Sequence, residues 1–200
     1  LMEISKSIKE NSYAIYGLGL SGVSVLKFLR EKRVKKIYTW DDKNKKKNKK
    51  KFLFFKKVLI EVDYIVISPG IDIKKTKFKS ILLKERKKII TDLDLFYMQN
   101  LPVKSIVVTG TNGKSTTCKL MQHVLKINNV NVQLGGNIGK PILDLKITKN
   151  STVIIEASSF QLFFSKFIKP NYAVILNITN DHLDWHGTIT NYQNSKFNIF

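Results

Sequence analysis

Lys114 and Ser115 stand directly after Gly110-Thr111-Asn112-Gly113, at the end of the β-branched run Ile106-Val107-Val108-Thr109. A strand that enters a glycine-bearing turn and leaves as a helix is the frame of a phosphate-binding loop. Gly110 and Gly113 let the backbone turn sharply and approach a ligand with no Cβ in the way. The helix opening at Lys114 aims its free N–H groups and positive dipole end at an anion. The Lys114 ammonium then reaches the terminal phosphates of a nucleotide, and the Ser115 hydroxyl can ligate Mg²⁺. Thr111, Asn112 and Thr116 complete the loop. The general pattern G-x-x-x-x-G-K-[ST] would put a glycine at position 108, where this chain has Val108, so the loop is a variant. An ordinary helix after a glycine turn is the plain alternative.

A second glycine segment, Gly17-Leu18-Gly19-Leu20-Ser21-Gly22, follows Tyr13-Ala14-Ile15-Tyr16, with Asp41 nineteen residues beyond Gly22. This is the nominal dinucleotide pattern. The same geometry serves any nucleotide diphosphate at a helix N-terminus, and a structural tight turn is the plain alternative. Asp41 or Asp42 could bind a ribose hydroxyl or cap the loop. Further along, Glu156 ends the run Thr152-Val153-Ile154-Ile155. The segment Asp181-His182-Leu183-Asp184-Trp185-His186 follows the run Tyr172–Leu176. Parallel sheets display their ligands at carboxyl ends of strands. Together with Ser115 these groups could hold Mg²⁺ between nucleotide phosphates and a second substrate. Each alone would read as a surface acid or a structural histidine.

The elements that must position these groups alternate strand and helix, which predicts parallel sheets with crossover helices. In the first half, strands are expected at 13–16, 36–40, 63–67 and 88–91. Helices are expected after Gly22, with Val23, Leu26 and Leu29 apolar, over about 75–87, and from a cap at Asp92 to Tyr97. Leu101-Pro102-Val103 reads as the linker. In the second half, strands are expected at 106–109, 130–134, 152–155 and 172–176. Helices are expected over 114–127, ended by Asn128-Asn129, and from Asn191 onward. The fold class is therefore α/β: a Rossmann-like parallel-sheet domain over 1–101, then the first part of a P-loop α/β domain over 102–200. An unfinished sheet, an end within a helix and Leu1 at the start are read as a truncated polypeptide.

Composition bounds the partners. At 200 residues and 43% hydrophobic, the chain can bury cores for two domains. It has no run of 18 apolar residues and no apolar signal segment, so neither a membrane span nor secretion is expected. A single cysteine, Cys118, excludes an internal disulfide, suits a reducing cytoplasm and reads as a buried thiol. The net charge of +20 raises nucleic acid as a partner. Only Arg30, Arg33 and Arg86 of the 35 basic residues are arginine, the residue that reads phosphates and bases with a planar fork. The lysines are spread evenly, and the run Lys43–Lys51 reads as a solvated loop. No nucleic acid is expected.

Taken in order, these segments resemble the Mur ligases, which share the Thr109–Thr116 loop with folylpolyglutamate synthases. Ser68-Pro69-Gly70-Ile71, Gly135-Gly136-Asn137-Ile138-Gly139, Glu156-Ala157-Ser158-Ser159-Phe160-Gln161-Leu162 and Asn180–Asp184 continue the likeness across essentially all 200 residues. The resemblance implies a first domain that binds a uridine diphosphate rather than NAD, with Leu18 and Ser21 at the diphosphate and uracil and Asp41 near the uracil, and it implies Ser68, Asn137 and Ser158 as further contacts of the UDP-linked substrate. It implies ATP binding through Gly110, Thr111, Asn112, Gly113, Lys114, Ser115 and Thr116. Two Mg²⁺ sites are implied on Ser115, Glu156, His182 and Lys196, the last as a carbamate, with Lys114, Glu156, His182 and Lys196 as the catalytic set. The implied reaction is ATP-dependent ligation of D-glutamate to UDP-N-acetylmuramoyl-L-alanine through an acyl phosphate, in cytoplasmic peptidoglycan precursor synthesis. A sibling ligase adding another amino acid or extending folates is the alternative. A monomer is expected, inactive without the family's third domain. Trp185, Ser195 and Asp42-Lys43 depart from the family's usual residues. Two further readings stand beside it: a nicotinamide-dependent oxidoreductase built on Gly17–Gly22, and a nucleic-acid-binding P-loop protein.

Overall fold

The computed structural model describes residues 7–43 and 48–200. The expectations for Leu1–Lys6 and for residues 44–47 of the lysine run lie outside them. Two four-stranded parallel sheets are present among the described residues. The first takes strands β1 (Tyr13–Tyr16), β2 (Ile37–Trp40), β3 (Tyr64–Ile67) and β4 (Ile89–Ile90) in the order β2-β1-β3-β4. The second takes β5 (Lys104–Thr109), β6 (Val132–Gly136), β7 (Thr152–Glu156) and β8 (Tyr172–Ile175) in the order β6-β7-β5-β8. In each sheet the first strand is central, so its carboxyl end faces the crevice at the switch in strand order, where α/β sheets bind ligands.

Side-chain alternation divides each strand between two helix layers. In the first sheet Ala14, Tyr16, Ile65, Ile67 and Ile89 face one core. Helix α1 (Leu20–Glu31) covers the opposite side, where Tyr13, Ile15, Val66 and Ile90 meet Val25, Phe28 and Leu29. Helix α2 (Lys49–Glu61) and helix α3 (Lys79–Lys84) cover the first side with Phe55, Val58, Leu59, Ile81 and Leu82. Helix α4 (Asp92–Tyr97) joins the two units. Its Leu95 lies in the core of the first sheet, and its Leu93 and Phe96 lie in that of the second, beside Val107, Val153 and Ile155. Helix α5 (Lys114–Ile127) packs on the other side of the second sheet, with Cys118 against Val108, Val132 and Ile154. Three short helices complete the chain: α6 (Ser159–Phe164), α7 (Leu183–His186) and α8 (Ile189–Phe197).

Several expectations change. Val23 of α1 is 53% exposed, and the buried face runs through Val25, Phe28 and Leu29 instead. Lys49–Lys51 are no loop: they form the first turn of α2, capped by the Asn48 side chain, which accepts from the Lys51 N–H at 2.9 Å. The helix expected over 75–87 shrinks to Lys79–Lys84 with a 3-10 turn at Arg86–Lys88. Thr91, not Asp92, caps α4, in a reciprocal box with Asp94. Strand β6 begins two residues late, because Val130 still closes the end of α5 through its N–H to the Leu125 carbonyl at 2.9 Å. Helix α8 closes at Phe197. Helices α6 and α7 carry too little periodicity to be read locally.

Asp94 shows how firmly α4 is tied to the second unit. One carboxylate oxygen accepts from the Lys166 and Phe167 N–H groups at 2.7 and 2.8 Å, and the other from the Thr91 N–H at 2.8 Å. Burial nonetheless raises its pKa to about 6.

Burial pushes the Cys118 thiol up to about 12, with the Glu156 charge adding to it. The thiolate is the reactive form. A thiol reagent such as DTNB at pH 8 is therefore expected to leave the native protein unmodified and to titrate one thiol after unfolding in denaturant. Stoichiometric reaction of the native chain within minutes would contradict the burial of this residue.

Candidate functional site

The glycine turn between β1 and α1 forms one wall of a cleft of about 580 Å³. Gly17–Ser21, Asp41, Ser68–Ile71, Gly136, Asn137 and Gln161 line it, so both units contribute. Five of the six expected substrate residues, Leu18, Ser21, Asp41, Ser68 and Asn137, come together here. Ser158 does not line the cleft. It caps α6, its hydroxyl accepting from the Gln161 N–H at 3.3 Å, and it reaches the cleft only through Gln161. Asp41 ties the turn from behind: its carboxylate accepts from the Leu18 N–H at 2.6 Å and the Lys43 N–H at 2.7 Å. Asp42 accepts from the Tyr16 hydroxyl and from Trp40 Nε1. Gly22 lets α1 approach the turn: a Cβ there would lie 1.9 Å from the Gly17 carbonyl oxygen.

The second loop leaves β5 at Thr109, whose hydroxyl donates to the Ala157 carbonyl at 2.9 Å. Gly113 caps α5 at φ +81°, a conformation costly for residues with a Cβ, and supplies no side-chain cap. The first N–H groups of α5 thus remain available to an anion. Asn177 braces the loop, accepting from the Asn112 N–H at 3.0 Å and donating to its carbonyl at 3.1 Å. Thr111 is held by the Tyr192 hydroxyl at 2.9 Å. Lys114 folds back onto the Gly110 and Thr111 carbonyls at 2.8 and 2.7 Å.

Glu156, 2% exposed at the end of β7, joins the two sites. Its carboxylate accepts from the Ser115 hydroxyl at 2.8 Å through one oxygen and from Asn137 Nδ2 at 2.9 Å through the other. A hydroxyl and a carboxylate oxygen at the foot of a phosphate-type loop are hard donors of the kind Mg²⁺ takes. The residues present therefore fit that ion between Ser115 and Glu156. Lys196, 1% exposed, donates to the Gly110 carbonyl at 2.8 Å, the same oxygen that Lys114 uses. Burial, and then the Lys114 charge, lower its pKa to about 8. His182 is brought to neither group. It is exposed at φ +52°, pairs with Asp181 at 3.4 Å and packs against Phe160 and Tyr192. Thr116 points outward on the first turn of α5.

Three residues escaped the reading of single segments. Asn177, Tyr192 and Gln161 act through partners 65, 81 and 69 positions away. Of these, only Gln161, at the third position after the capping serine of α6, left a local sign.

A glycine-turn unit facing a P-loop unit across a shared cleft defines a nucleotide-binding α/β protein. Residues 108–200 match the family model of the Mur ligase middle domain, and residues 11–90 match that of the Mur ligase MurD-like N-terminal domain. The chain belongs to the Mur ligase family. It is 38% identical to the UDP-N-acetylmuramoylalanine–D-glutamate ligase of Rickettsia bellii, 35% to that of Wolbachia pipientis and 37% to that of Aquifex aeolicus. These alignments cover 96, 99 and 94% of this chain but 44, 40 and 43% of the relatives, so the chain spans less than half their length. The solved UDP-N-acetylmuramate:L-alanyl-gamma-D-glutamyl-meso-diaminopimelate ligase from Neisseria meningitides shares the fold. Its TM-score is 0.55 at 17% identity, over 95% of this chain and 67% of that one.

Because the Gly22 approach leaves no room for a methyl group, Gly22→Ala must displace the turn. Overpacking of this kind costs about 1–3 kcal/mol. The expected result is a lower thermal midpoint. A variant with unchanged melting would refute the tight packing of α1 on the turn.

Proposed function

We propose that this chain carries the substrate cleft and ATP loop of a ligase that joins D-glutamate to UDP-N-acetylmuramoyl-L-alanine in the cytoplasm. The observation that carries this reading is Glu156. One buried carboxylate touches both Ser115 at the head of the ATP loop and Asn137 on the cleft wall, which brings a phosphoryl donor up to a substrate held across the cleft. The region to residue 101, with Asn137 and Gln161 from the second unit, holds the UDP-linked substrate, and the loop at 110–116 holds ATP. The glycine turn serves a diphosphate rather than a nicotinamide, since the P-loop would otherwise be left without a role. The relatives' names supply the amino acid.

In this reading the substrate's alanyl carboxylate takes the γ-phosphoryl group of ATP. The amine of D-glutamate then attacks the carbonyl carbon of the resulting acyl phosphate, forms the amide bond, expels inorganic phosphate and releases a proton. The physical difficulty is to bring one anion up to another: two unit charges ~4 Å apart repel by about 4 kcal/mol at an effective dielectric of 20. Mg²⁺, when bound, offsets that repulsion and stabilises charge on the transferring group. Ser115 and Glu156 would hold it, with His182 at a second site. Lys114 exchanges its two loop carbonyls for phosphate oxygens. The N–H groups of α5 bind and orient the triphosphate. Lys196, whose amine is partly neutral near pH 8, is the group to take up CO₂. Its nitrogen attacks the carbon and releases a proton, so that a buried cation becomes an anion able to ligate metal.

Binding tests the reading directly. Isothermal titration is expected to show affinity for UDP-N-acetylmuramoyl-L-alanine and for Mg·ATP, and none for NADH. NADH binding without the UDP ligand would support the oxidoreductase instead. Phosphate release that requires D-glutamate, in the ligase at its relatives' length, would establish the acceptor, and dependence on another amino acid would assign a sibling reaction.

Two variants separate the roles. Lys114→Ala should abolish ATP binding and leave the UDP ligand within about threefold of wild type, because Lys114 is not among the residues that line the cleft. Parallel loss of both would refute that layout. Lys196→Ala should lose phosphate release and regain much of it with acetate, which can replace the carbamate oxygens. The absence of rescue at any acetate concentration would remove the carbamate assignment.

A further inference from the structure

Behind the cleft wall lies a carboxyl group that no role above uses. Asp92, the first residue of α4, is 2% exposed. Its Oδ1 accepts from Gln161 Nε2 at 3.0 Å and from the Leu93 N–H at 3.1 Å. Its Oδ2 is buried with no hydrogen-bond partner. Gln161 is held from its other end as well: Oε1 accepts from the Ser158 N–H and hydroxyl, both at 3.1 Å. These bonds settle which end of the carboxamide is oxygen and which is nitrogen. An amide nitrogen has two hydrogens, and one is committed to Asp92. Gln161, 1% exposed, lines the cleft, so the second is the one hydrogen its amide could offer a ligand there.

The Asp92 Oδ2 has no such partner. A buried oxygen with no partner is costly when ionised. Burial accordingly holds this carboxyl above the usual range, with Gln161, Leu93 and Ser21 opposing.

We propose that Asp92 is a positioning residue: a buried carboxyl that orients the Gln161 amide, held at its other end by Ser158, toward a ligand in the cleft. It touches no substrate itself. The proposal rests on the reading of the cleft as the site of a UDP-linked substrate.

The test is isothermal titration of UDP-N-acetylmuramoyl-L-alanine and of Mg·ATP into wild type, Asp92→Leu, Asp92→Asn, Gln161→Met and the double variant Asp92→Leu/Gln161→Met. Asp92→Leu and Gln161→Met should each weaken the UDP ligand about tenfold, the size of one hydrogen bond. The double variant should be no weaker than the worse single one, because both break the same path. Asp92→Asn keeps an acceptor toward Gln161, so it should stay within about threefold. ATP affinity should not move. Full UDP affinity in Asp92→Leu or Gln161→Met, a double variant weakened about a hundredfold, or ATP affinity falling in step would each overturn the proposal. If Asp92→Leu does not fold, Asp92→Asn decides: a tenfold loss there also overturns it. A ligand-free readout separates this failure from failure of the substrate reading. The Gln161 side-chain amide signals in NMR should be shifted and sharp in wild type and Asp92→Asn, and should move to the free-amide position in Asp92→Leu. Unmoved signals would reject the role of Asp92 even if the cleft binds no UDP ligand.

Discussion

A buried carboxylate must be hydrogen-bonded or it destabilises the fold, and Glu156 meets that demand with two partners from two functional surfaces. Ser115 begins the helix that receives phosphate, and Asn137 lines the cleft. The requirement sets the register of the centre: β7 must end level with the loop after β5, and the turn after β6 must return its asparagine to the same point. The parallel pairing of Gly136 with Glu156 and of Val108 with Glu156 satisfies both conditions. The placement of a phosphate site beside the cleft follows from that local pairing.

The two sheets could still drift apart if only a linker joined them. Helix α4 prevents this with alternate faces. Leu95 belongs to the first core and Leu93 and Phe96 to the second, while Asp92 and Asp94 reach side chain and backbone of the second unit. A six-residue helix thus works as a double-sided fastener. An aromatic cluster adds to it: Phe163, Phe164 and Trp185 pack against the core of the first unit, with Arg86 over the Phe163 ring. The same contacts hold both walls of the cleft at a set separation.

Charge at the ATP loop is arranged differently. Lys114 and Lys196 share one carbonyl, that of Gly110, which concentrates positive potential where a triphosphate would lie. Burial and this proximity together explain why the Lys196 amine gives up its proton more readily than a surface lysine. Nothing in a chain with 35 basic residues marks Lys196 as different. Its character comes from burial and the Lys114 charge, which outweigh the Tyr192 ring and the loop carbonyl that favour the cation.

Local chemistry in the chain determined the two strand-turn-helix units, the alternation that makes both sheets parallel, and the residue types on the two glycine loops. These are short-range properties: β-branched runs, glycine spacing and the first residues of a helix act within about ten positions. Helix α2 was hidden because apolar residues stand on both of its faces: Phe55, Val58 and Leu59 are buried, whereas Leu53, Phe54 and Ile60 are exposed among the lysines. The cap of α4 at Thr91 and the outward turn of Val23 depend on which face meets the sheet, and a lone segment does not specify that face. Tertiary structure alone decided that Glu156 joins Ser115 to Asn137, that Asn177 and Tyr192 brace the ATP loop, and that Asp92 lies behind Gln161. Each of these pairs is separated by between 19 and 81 residues, and contact over such distances is set by the packing of the sheets rather than by local preference.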